Sequence, residues 1–134
     1  MAFLVDTSVW SLAFRRDAPQ DVPEVTVLAR ALSGNDDVVT AGVVVLELLR
    51  GFLPTRVEVG LTERFATMQL VEPTRGDYLA AAGLANVCAR AGVQLGTIDA
   101  LIAQLAIAHD LTLLTTDRDF SLAAAHIPLR VWHP

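Results

Sequence analysis

The sequence predicts an α/β domain with a parallel central sheet, and three observations lead to this prediction. Short apolar runs rich in β-branched residues or leucine alternate with longer segments of helical spacing, which is typical of parallel sheets. The chain has 134 residues, 53% of them hydrophobic and 19% charged, so it can bury a sizeable core. Neither a repeat nor a linker divides this length, and we expect residues 1–134 to form one domain.

Four strands are predicted from clear patterns and a fifth from a weaker one. The clear patterns are 3-FLV-5, 37-DVVTA-41, 111-LTLLT-115 and 129-LRVW-132. The weaker one lies around 69-QLVE-72. Each is a short apolar run separated from the next by polar or helical sequence, as expected of buried strands.

Helical spacing fills most of the chain between these strands. It covers segments 21–35, 43–51, 55–68, 74–92 and 97–110. Asp21 is the expected N-cap of the first of these, with Pro23 in the first turn and Gly34 at the end. Gly51 is expected to end the second segment, and Thr97 is the expected N-cap of the last.

Composition excludes several classes of protein. The chain carries a net charge of −5, with ten arginines and no lysine, which argues against a general nucleic-acid binder unless several acids share a bound cation. No run of roughly 18 apolar residues predicts a membrane span. The start lacks a basic segment and a secretory leader is not expected, so we expect a cytoplasmic protein. Cys88 excludes an internal disulfide and is interpreted as a buried helical residue rather than a nucleophile.

Acidic residues follow two of the predicted strands directly. Asp6 ends the first strand in 3-FLVDTSVW-10, and a helix is expected after it. Asp117 and Asp119 lie just past the strand at 111–115. Sites in open parallel sheets form outside the carboxyl ends of the strands, so these acids are expected to face one crevice. Asp6 has an alternative interpretation as the N-cap of the following helix.

Glu47 and Asp99 lie on apolar helices. Glu47 interrupts 43-VVVLELLRG-51, and glutamate is seldom buried without a partner. It either pairs with Arg50, three residues later, or points into the acidic crevice. Asp99 lies in the first turn of its helix, where the helix dipole favours an acid. That helix is apolar enough to be packed on most sides, so its N-terminus is expected at the same sheet edge.

One cation site would account for all four acids, which otherwise need four separate structural explanations: a cap, an ion pair, a dipole partner and a turn residue. Converging carboxylates cannot all stay ionised without a cation. Oxygen ligands favour Mg²⁺ or Mn²⁺, and the chain has no Cys/His cluster for Zn²⁺. Such a site would activate water and stabilise charge on a phosphodiester. The pattern is equally compatible with one metal or two.

Motifs across nearly the whole chain resemble those of PIN-domain ribonucleases, in particular the VapC toxins of bacterial toxin–antitoxin pairs. They are LVDTSVW at the start, the helical Glu in VVVLELLRG, TIDALIAQLAIAHDLTLLTTDRDF near the end, and the final LRVW. The resemblance implies a three-layer α/β/α domain whose central, mostly parallel sheet has four or five strands.

The resemblance also implies a role for individual residues. The catalytic acids that hold Mg²⁺ or Mn²⁺ would be Asp6, Glu47, Asp99 and Asp117, with Asp6 and Asp99 the strongest ligands. Thr7 and Thr115 match small hydroxyl positions that support the site. Asp119 matches an acidic position beside the fourth acid, and it could share or exchange the role of Asp117.

Substrate and partners are further implications of the resemblance. The chain would cleave single-stranded or looped RNA such as tRNA or rRNA, form a homodimer, and be neutralised by a VapB-like antitoxin. Arg15, Arg16, Arg50 and Arg118 fall near the expected site and are candidate phosphate contacts, with ordinary solvated arginines as the alternative. Aliphatic residues pervade 43–68 and 79–108, more than a small monomer hides easily, which favours these protein partners.

Two other classes of protein share parts of this pattern. Haloacid-dehalogenase-like phosphatases and response-regulator receivers also place an Asp after an early strand, but both need a lysine, which this chain lacks. The phosphatase motif also requires an Asp where this chain has Ser8. The remaining alternative is a PIN fold that only binds protein, with little catalysis.

Overall fold

The computed structural model describes residues 1–14 and 22–134, and its centre is a four-stranded, all-parallel sheet with helices on both sides. The strands in chain order are β1 (Ala2–Val5), β2 (Asp37–Ala41), β3 (Gln69–Val71) and β4 (Thr112–Leu114). Their spatial order is β3-β2-β1-β4. In register, Leu4 of β1 pairs with Val39 of β2 on one side and Leu113 of β4 on the other. The predicted α/β class with a parallel sheet is confirmed.

Two of the five strand predictions have outcomes opposite to the strength of their patterns. The weaker pattern at 69–72 forms β3, whereas the clearer pattern at 129–132 forms only one bridge, from Val131 to Leu113. Two backbone hydrogen bonds flank that bridge, from the Leu113 amide to the Arg130 carbonyl (2.8 Å) and from the Trp132 amide to the Leu113 carbonyl (2.9 Å). The apolar pattern of this segment therefore reflects burial of Leu129 rather than a regular ladder.

Seven helices are present in the described residues. They are α1 (Thr7–Ala13), α2 (Pro23–Ser33), α3 (Gly42–Leu49), α4 (Thr55–Phe65), α5 (Arg75–Arg90), α6 (Thr97–Ala108) and α7 (Arg118–Ala123). The helix expected after Asp6 is α1, and the five segments of helical spacing correspond to α2 to α6. The short helix α7 was not predicted, because six residues are too few to establish a period.

Helix caps were predicted less well than the helices. Gly34 is the C-cap of α2 as expected, whereas Val22 occupies its N-cap position and Asp21 lies outside the described residues. Thr97 is not the N-cap of α6; Gly96 holds that position without a side-chain bond. Arg50 is the C-cap of α3, one residue before Gly51.

The core forms where buried strand residues meet the helices. Leu4, Val5, Leu113 and Leu114 are fully buried, and Trp10 of α1 packs edge-on against Phe65 with ring centroids 5.1 Å apart. Helix α5 packs along α6, whereas α1 packs against α2 and α3. Cys88 is buried in α5, and burial raises the pKa of its thiol. Within the described ranges, no helix combines the length and apolarity needed to cross a membrane.

Candidate active site

The carboxyl ends of β1 and β4 lie side by side and present the first two polar side chains of the site. The Asp6 amide, one residue past β1, donates to the Leu114 carbonyl at the end of β4 (2.9 Å). Asp6 is 6% exposed and Thr115, the residue after β4, is 4% exposed. Residues from the two ends of the sequence therefore meet at one point of the sheet edge.

The Asp6 carboxylate does not cap the helix that follows it. Asp6 occupies the N-cap position of α1, but only its backbone carbonyl accepts from helix amides, those of Val9 and Trp10. Its Oδ2 accepts from the hydroxyls of Thr115 (2.8 Å) and Ser8 (2.9 Å). The structure therefore contradicts the capping interpretation and leaves this carboxylate bound to a polar cluster at the sheet edge.

Asp99 is the acid of this region whose pKa is clearly raised. It lies partly buried in the first turn of α6. Burial raises its pKa to about 6, and repulsion from four other carboxylates adds to the effect, in decreasing order from Asp6, Asp117, Glu47 and Asp119. All five acids therefore lie close enough to influence the same proton. The amino end of α6 and the carboxyl edge of the sheet therefore share one cluster of acids, and we call the place where they meet the acidic crevice.

Glu47 reaches this crevice from α3 and does not use the expected partner. The Thr7 hydroxyl of α1 donates to its Oε1 (3.3 Å), which links α1 to α3. Glu47 and Arg50 form no ion pair among the described residues, so that structural alternative is wrong. Glu47 is partly buried, and its carboxylate influences Asp99 as described above.

Asp117 and Asp119 have different surroundings. Asp117 is partly buried and caps α7, since its Oδ1 accepts from the Asp119 amide (2.9 Å). Its own amide donates to the Thr115 hydroxyl (3.0 Å). Asp119 is exposed and has the smallest effect on the pKa of Asp99. Asp117 is therefore held near the crevice by backbone and side chain, whereas Asp119 lies at its margin.

Ser8 is the residue of this cluster that sequence reasoning missed. Its hydroxyl donates to Asp6 and accepts from the Thr116 amide (3.2 Å). The signal available in the sequence was a small hydroxyl two residues after a carboxylate, at the start of a helix. The hydroxyl residues predicted to support the site were Thr7 and Thr115.

The four arginines divide into two pairs. Arg50 and Arg118 are exposed, and neither forms an ion pair with another described residue. Arg15 and Arg16 lie outside the described residues. Of the four candidate phosphate contacts, the structure therefore describes Arg50 and Arg118 alone.

The donor chemistry of the crevice fits a hard divalent cation. Its potential ligands are carboxylate oxygens, and none of the five acids forms an ion pair with a described basic residue. Burial and then repulsion from the other four acids raise the pKa of Asp99, and a bound cation would favour its charged form. In residues 1–14 and 22–134, no three acidic, histidine or cysteine side chains are arranged closely enough to enclose a cation as they stand.

The chain is similar to one protein family and to several solved structures. The family model of the PIN domain matches residues 3–125. VapBC2 from Rickettsia felis, solved with a DNA fragment of its promoter, is 18% identical with a TM-score of 0.77 over 98% of both chains. FitAcB from Neisseria gonorrhoeae is 23% identical with a TM-score of 0.71, over 98% of this chain and 97% of that one.

A third similar structure is described by its activity. VapC20 from Mycobacterium tuberculosis, a sarcin-ricin loop cleaving toxin, is 19% identical with a TM-score of 0.68, over 96% of this chain and 98% of that one. At these identities the likeness concerns the fold alone. No curated protein matches this chain.

Proposed function

Because the chain belongs to the PIN domain family, we propose that it is a metal-dependent endoribonuclease and the toxin of a VapBC-type toxin–antitoxin pair. The observation that carries this proposal is that four other carboxylates lie close to Asp99. Together with burial, they raise the pKa of Asp99 to about 6. A structural role for these acids would not require five carboxylates around one crevice without a basic partner among the described residues. The proposal is also supported by the similar folds, several of which are structures of VapBC complexes or of a VapC toxin.

In this proposal the acids bind the cation and the hydroxyls orient the acids. Asp6 and Asp99 are the principal ligands, and Glu47 and Asp117 complete the set. When bound, Mg²⁺ or Mn²⁺ would supply an activated water and neutralise charge on the scissile phosphodiester. Thr7 holds Glu47 and Thr115 holds Asp6 through the hydrogen bonds described above.

Asp117 is the better candidate than Asp119 for the fourth ligand. It is the less exposed of the two and has the larger effect on the pKa of Asp99. Its Oδ1 is used by the α7 cap, so its Oδ2 is the oxygen available to a cation. Asp119 would then support the site through its amide, which fixes the Asp117 carboxylate.

The proposed substrate is single-stranded or looped RNA, such as a segment of tRNA or rRNA. An open crevice at a sheet edge accommodates a flexible strand more easily than a stiff duplex. Arg50 and Arg118, which are exposed and without described ion-pair partners, are the candidate phosphate contacts in the described part of the chain. Arg15 and Arg16 remain candidates from the sequence.

We also propose two protein partners, a second copy of the chain and a VapB-like antitoxin. Large apolar side chains are exposed in both segments that the sequence analysis indicated. In 43–68 they are Leu46 (65% exposed), Phe52 (100%) and Val59 (50%), and in 79–108 they are Leu79 (71%), Val87 (40%) and Ile98 (36%). Burying such surface in complexes would be favourable. The proposal places the protein in the cytoplasm, where RNA and antitoxin are found.

The experiment that tests this function compares RNA cleavage by wild type and Asp6→Ala with Mg²⁺ and with EDTA. We expect cleavage only for wild type with Mg²⁺, leaving a 5′-phosphate and a 3′-hydroxyl. Equal cleavage by the two proteins would contradict the proposal. A chain that binds an antitoxin but cleaves none of the cellular RNAs tested would instead support the protein-binding alternative.

A further inference from the structure

The Ser8 hydroxyl joins two parts of the site that come from opposite ends of the chain. Its Oγ is 2.9 Å from Asp6 Oδ2, to which it donates, and 3.2 Å from the Thr116 amide, from which it accepts. A serine hydroxyl has one hydrogen to donate and can accept from an amide at the same time. Both capacities are therefore used, one on the carboxylate after β1 and one on the backbone after β4.

Thr115 makes the matching pair of bonds. Its Oγ1 donates to the same Asp6 Oδ2 (2.8 Å) and accepts from the Asp117 amide (3.0 Å). Each hydroxyl donates its single hydrogen to Asp6. The two oxygens, Ser8 Oγ and Thr115 Oγ1, are 3.4 Å apart and therefore have no hydrogen left to share with each other. Asp6 Oδ2 thus receives two hydrogen bonds, whereas Oδ1 accepts none within the described residues.

This arrangement fixes the carboxylate in one rotational state. Turning the Asp6 carboxylate about its Cβ–Cγ bond would break the hydrogen bonds from both hydroxyls. Because Asp6 is buried, its oxygen would then lack a hydrogen-bond donor, which costs free energy. The same two hydroxyls hold successive amides, those of Thr116 and Asp117, in the loop that carries the Asp117 carboxylate. The relative placement of Asp6 and Asp117 therefore depends on Ser8 and Thr115 together.

We propose that Ser8 is a positioning residue: with Thr115 it orients the Asp6 carboxylate so that Oδ1 faces the cation, and it tethers the loop that carries Asp117. The role in cation binding rests on the proposed function, whereas the tether itself does not. Groups that hold a metal-binding side chain commonly change metal affinity or activity by 10- to 100-fold when removed. Ser8 acts through Asp6 and Thr116 and is not assigned any contact with the RNA.

The tether is tested by amide hydrogen exchange in the metal-free protein. In Ser8→Ala the Thr116 amide loses its acceptor, and we expect its exchange to accelerate at least about threefold, with amides of the core strands unchanged. Ser11→Ala is the matched control, because Ser11 lies exposed on the same helix and makes no side-chain hydrogen bond among the described residues. Unchanged exchange at Thr116 in Ser8→Ala would overturn the tether.

Cation positioning is tested by titrating Mn²⁺ into the full chain and measuring heat. We expect Ser8→Ala to bind about 10-fold more weakly, and Ser8→Thr, which keeps the hydroxyl, to bind within about threefold of wild type. Ser11→Ala should match wild type. Wild-type affinity in folded Ser8→Ala would overturn the proposal, as would global unfolding of Ser8→Ala, because Ser8 would then be a folding residue.

Cleavage measurements separate this inference from the function it builds on. We expect Ser8→Ala to lower kcat about 10-fold or more while KM stays within about twofold, since Ser8 does not hold the RNA. If Asp6→Ala is inactive but Ser8→Ala keeps full Mn²⁺ affinity and kcat, only the positioning role fails. If Asp6→Ala is as active as wild type, the proposed function fails, and the exchange experiment still decides the tether.

Discussion

The amino ends of α5 and α6 place an aspartate at the same helical position, and the two side chains have opposite properties. Asp77 and Asp99 are each the third residue of their helix. Hydrogen bonds from the Thr74 backbone and from Gln104 lower the pKa of Asp77, whereas burial and neighbouring carboxylates raise the pKa of Asp99. The helix dipole is common to both sites and therefore does not decide the difference.

The partners of the two carboxylates explain the contrast. Asp77 forms a capping box with Thr74, and its Oδ1 accepts from Gln104 of α6 (3.1 Å). The backbone amide and side chain of Thr74 occupy its Oδ2. Asp77 is thus saturated with donors and ties α5 to α6, as expected of a structural residue. Asp99 faces acids instead and is available to a ligand.

The largest effect that tests this comparison is the loss of activity in Asp99→Asn. Under the proposed function we expect RNA cleavage to fall about 100- to 1000-fold, because a principal ligand of the cation that stabilises the transition state is removed. Single-turnover cleavage with Mg²⁺ measures the effect. Asp77→Asn is the matched control, the same substitution at the same helical position, and should stay within about threefold of wild type. Equal losses in both variants would remove the functional distinction between them.

The next effect is the stability loss in Asp77→Ala. We expect the free energy of unfolding to fall by about 1–3 kcal/mol, because a capping box and a bond to a second helix are lost together. Urea denaturation of the metal-free protein gives the value. Asp99→Ala should not be destabilised in the same way at neutral pH, since it relieves repulsion. A neutral Asp77→Ala would show that the capping box contributes nothing measurable.

The contributions of Asp77 and Asp99 to the free energy of unfolding should also depend on pH in opposite ways. Asp99 has a folded pKa of about 6 against an ordinary 3.8, so its contribution is complete below about pH 4 and is lost as the pH rises through about 6. Allowing for partial solvent exposure, this amounts to about 1 kcal/mol. Asp77, with a lowered pKa, contributes above about pH 4 and loses its contribution as the pH falls.

Urea denaturation in EDTA from pH 4 to pH 7 tests these slopes. Relative to wild type, Asp99→Asn should gain stability progressively as the pH rises, reaching about 1 kcal/mol at pH 7. Addition of Mg²⁺ at pH 7 should stabilise wild type but not Asp99→Asn. A difference between the two proteins that is independent of pH would contradict the electrostatic origin of the raised pKa.

The smallest effect concerns the threonines that precede the two aspartates. Thr74→Ala should cost about 1 kcal/mol, because Thr74 accepts from the Asp77 amide at 3.2 Å. Thr97→Ala should change stability by less than about 0.5 kcal/mol, since Thr97 is exposed and caps nothing. A comparable cost at Thr97 would indicate that it caps α6 in solution.

Helices and strands were predicted better than the side-chain contacts between them, and Asp77 and Asp99 show why. Periodicity placed both helices, and the few polar groups of α6 were visible as Asp99 and Gln104. Whether an acid meets a donor or another acid depends on residues distant in sequence. Gln104 is 27 positions from Asp77, and Thr115 is 109 positions from Asp6. Helical spacing contains no information about such contacts.

Local signals also failed where tertiary packing overrode them. Thr97 resembles an N-cap, yet α6 begins after Gly96 without a side-chain cap. The run at 129–132 has the residues of a strand but pairs at one position only. Conversely, the acids after β1 and β4 could be located because parallel strands end at one edge, a property of the whole sheet that the alternating pattern already determines.

Pairing of β1 with β4 has a consequence for synthesis on the ribosome. The first strand needs residues near the end of the chain before Asp6 acquires its hydrogen bond from Thr115. Contacts so distant in sequence form late, because the entropy of closing the long loop must be overcome first. A nascent chain shorter than about 115 residues has no Thr115, Asp117 or Asp119. The acidic crevice is therefore incomplete until residues 115–119 have been synthesised, and under the proposed function a shorter nascent chain is expected to be inactive.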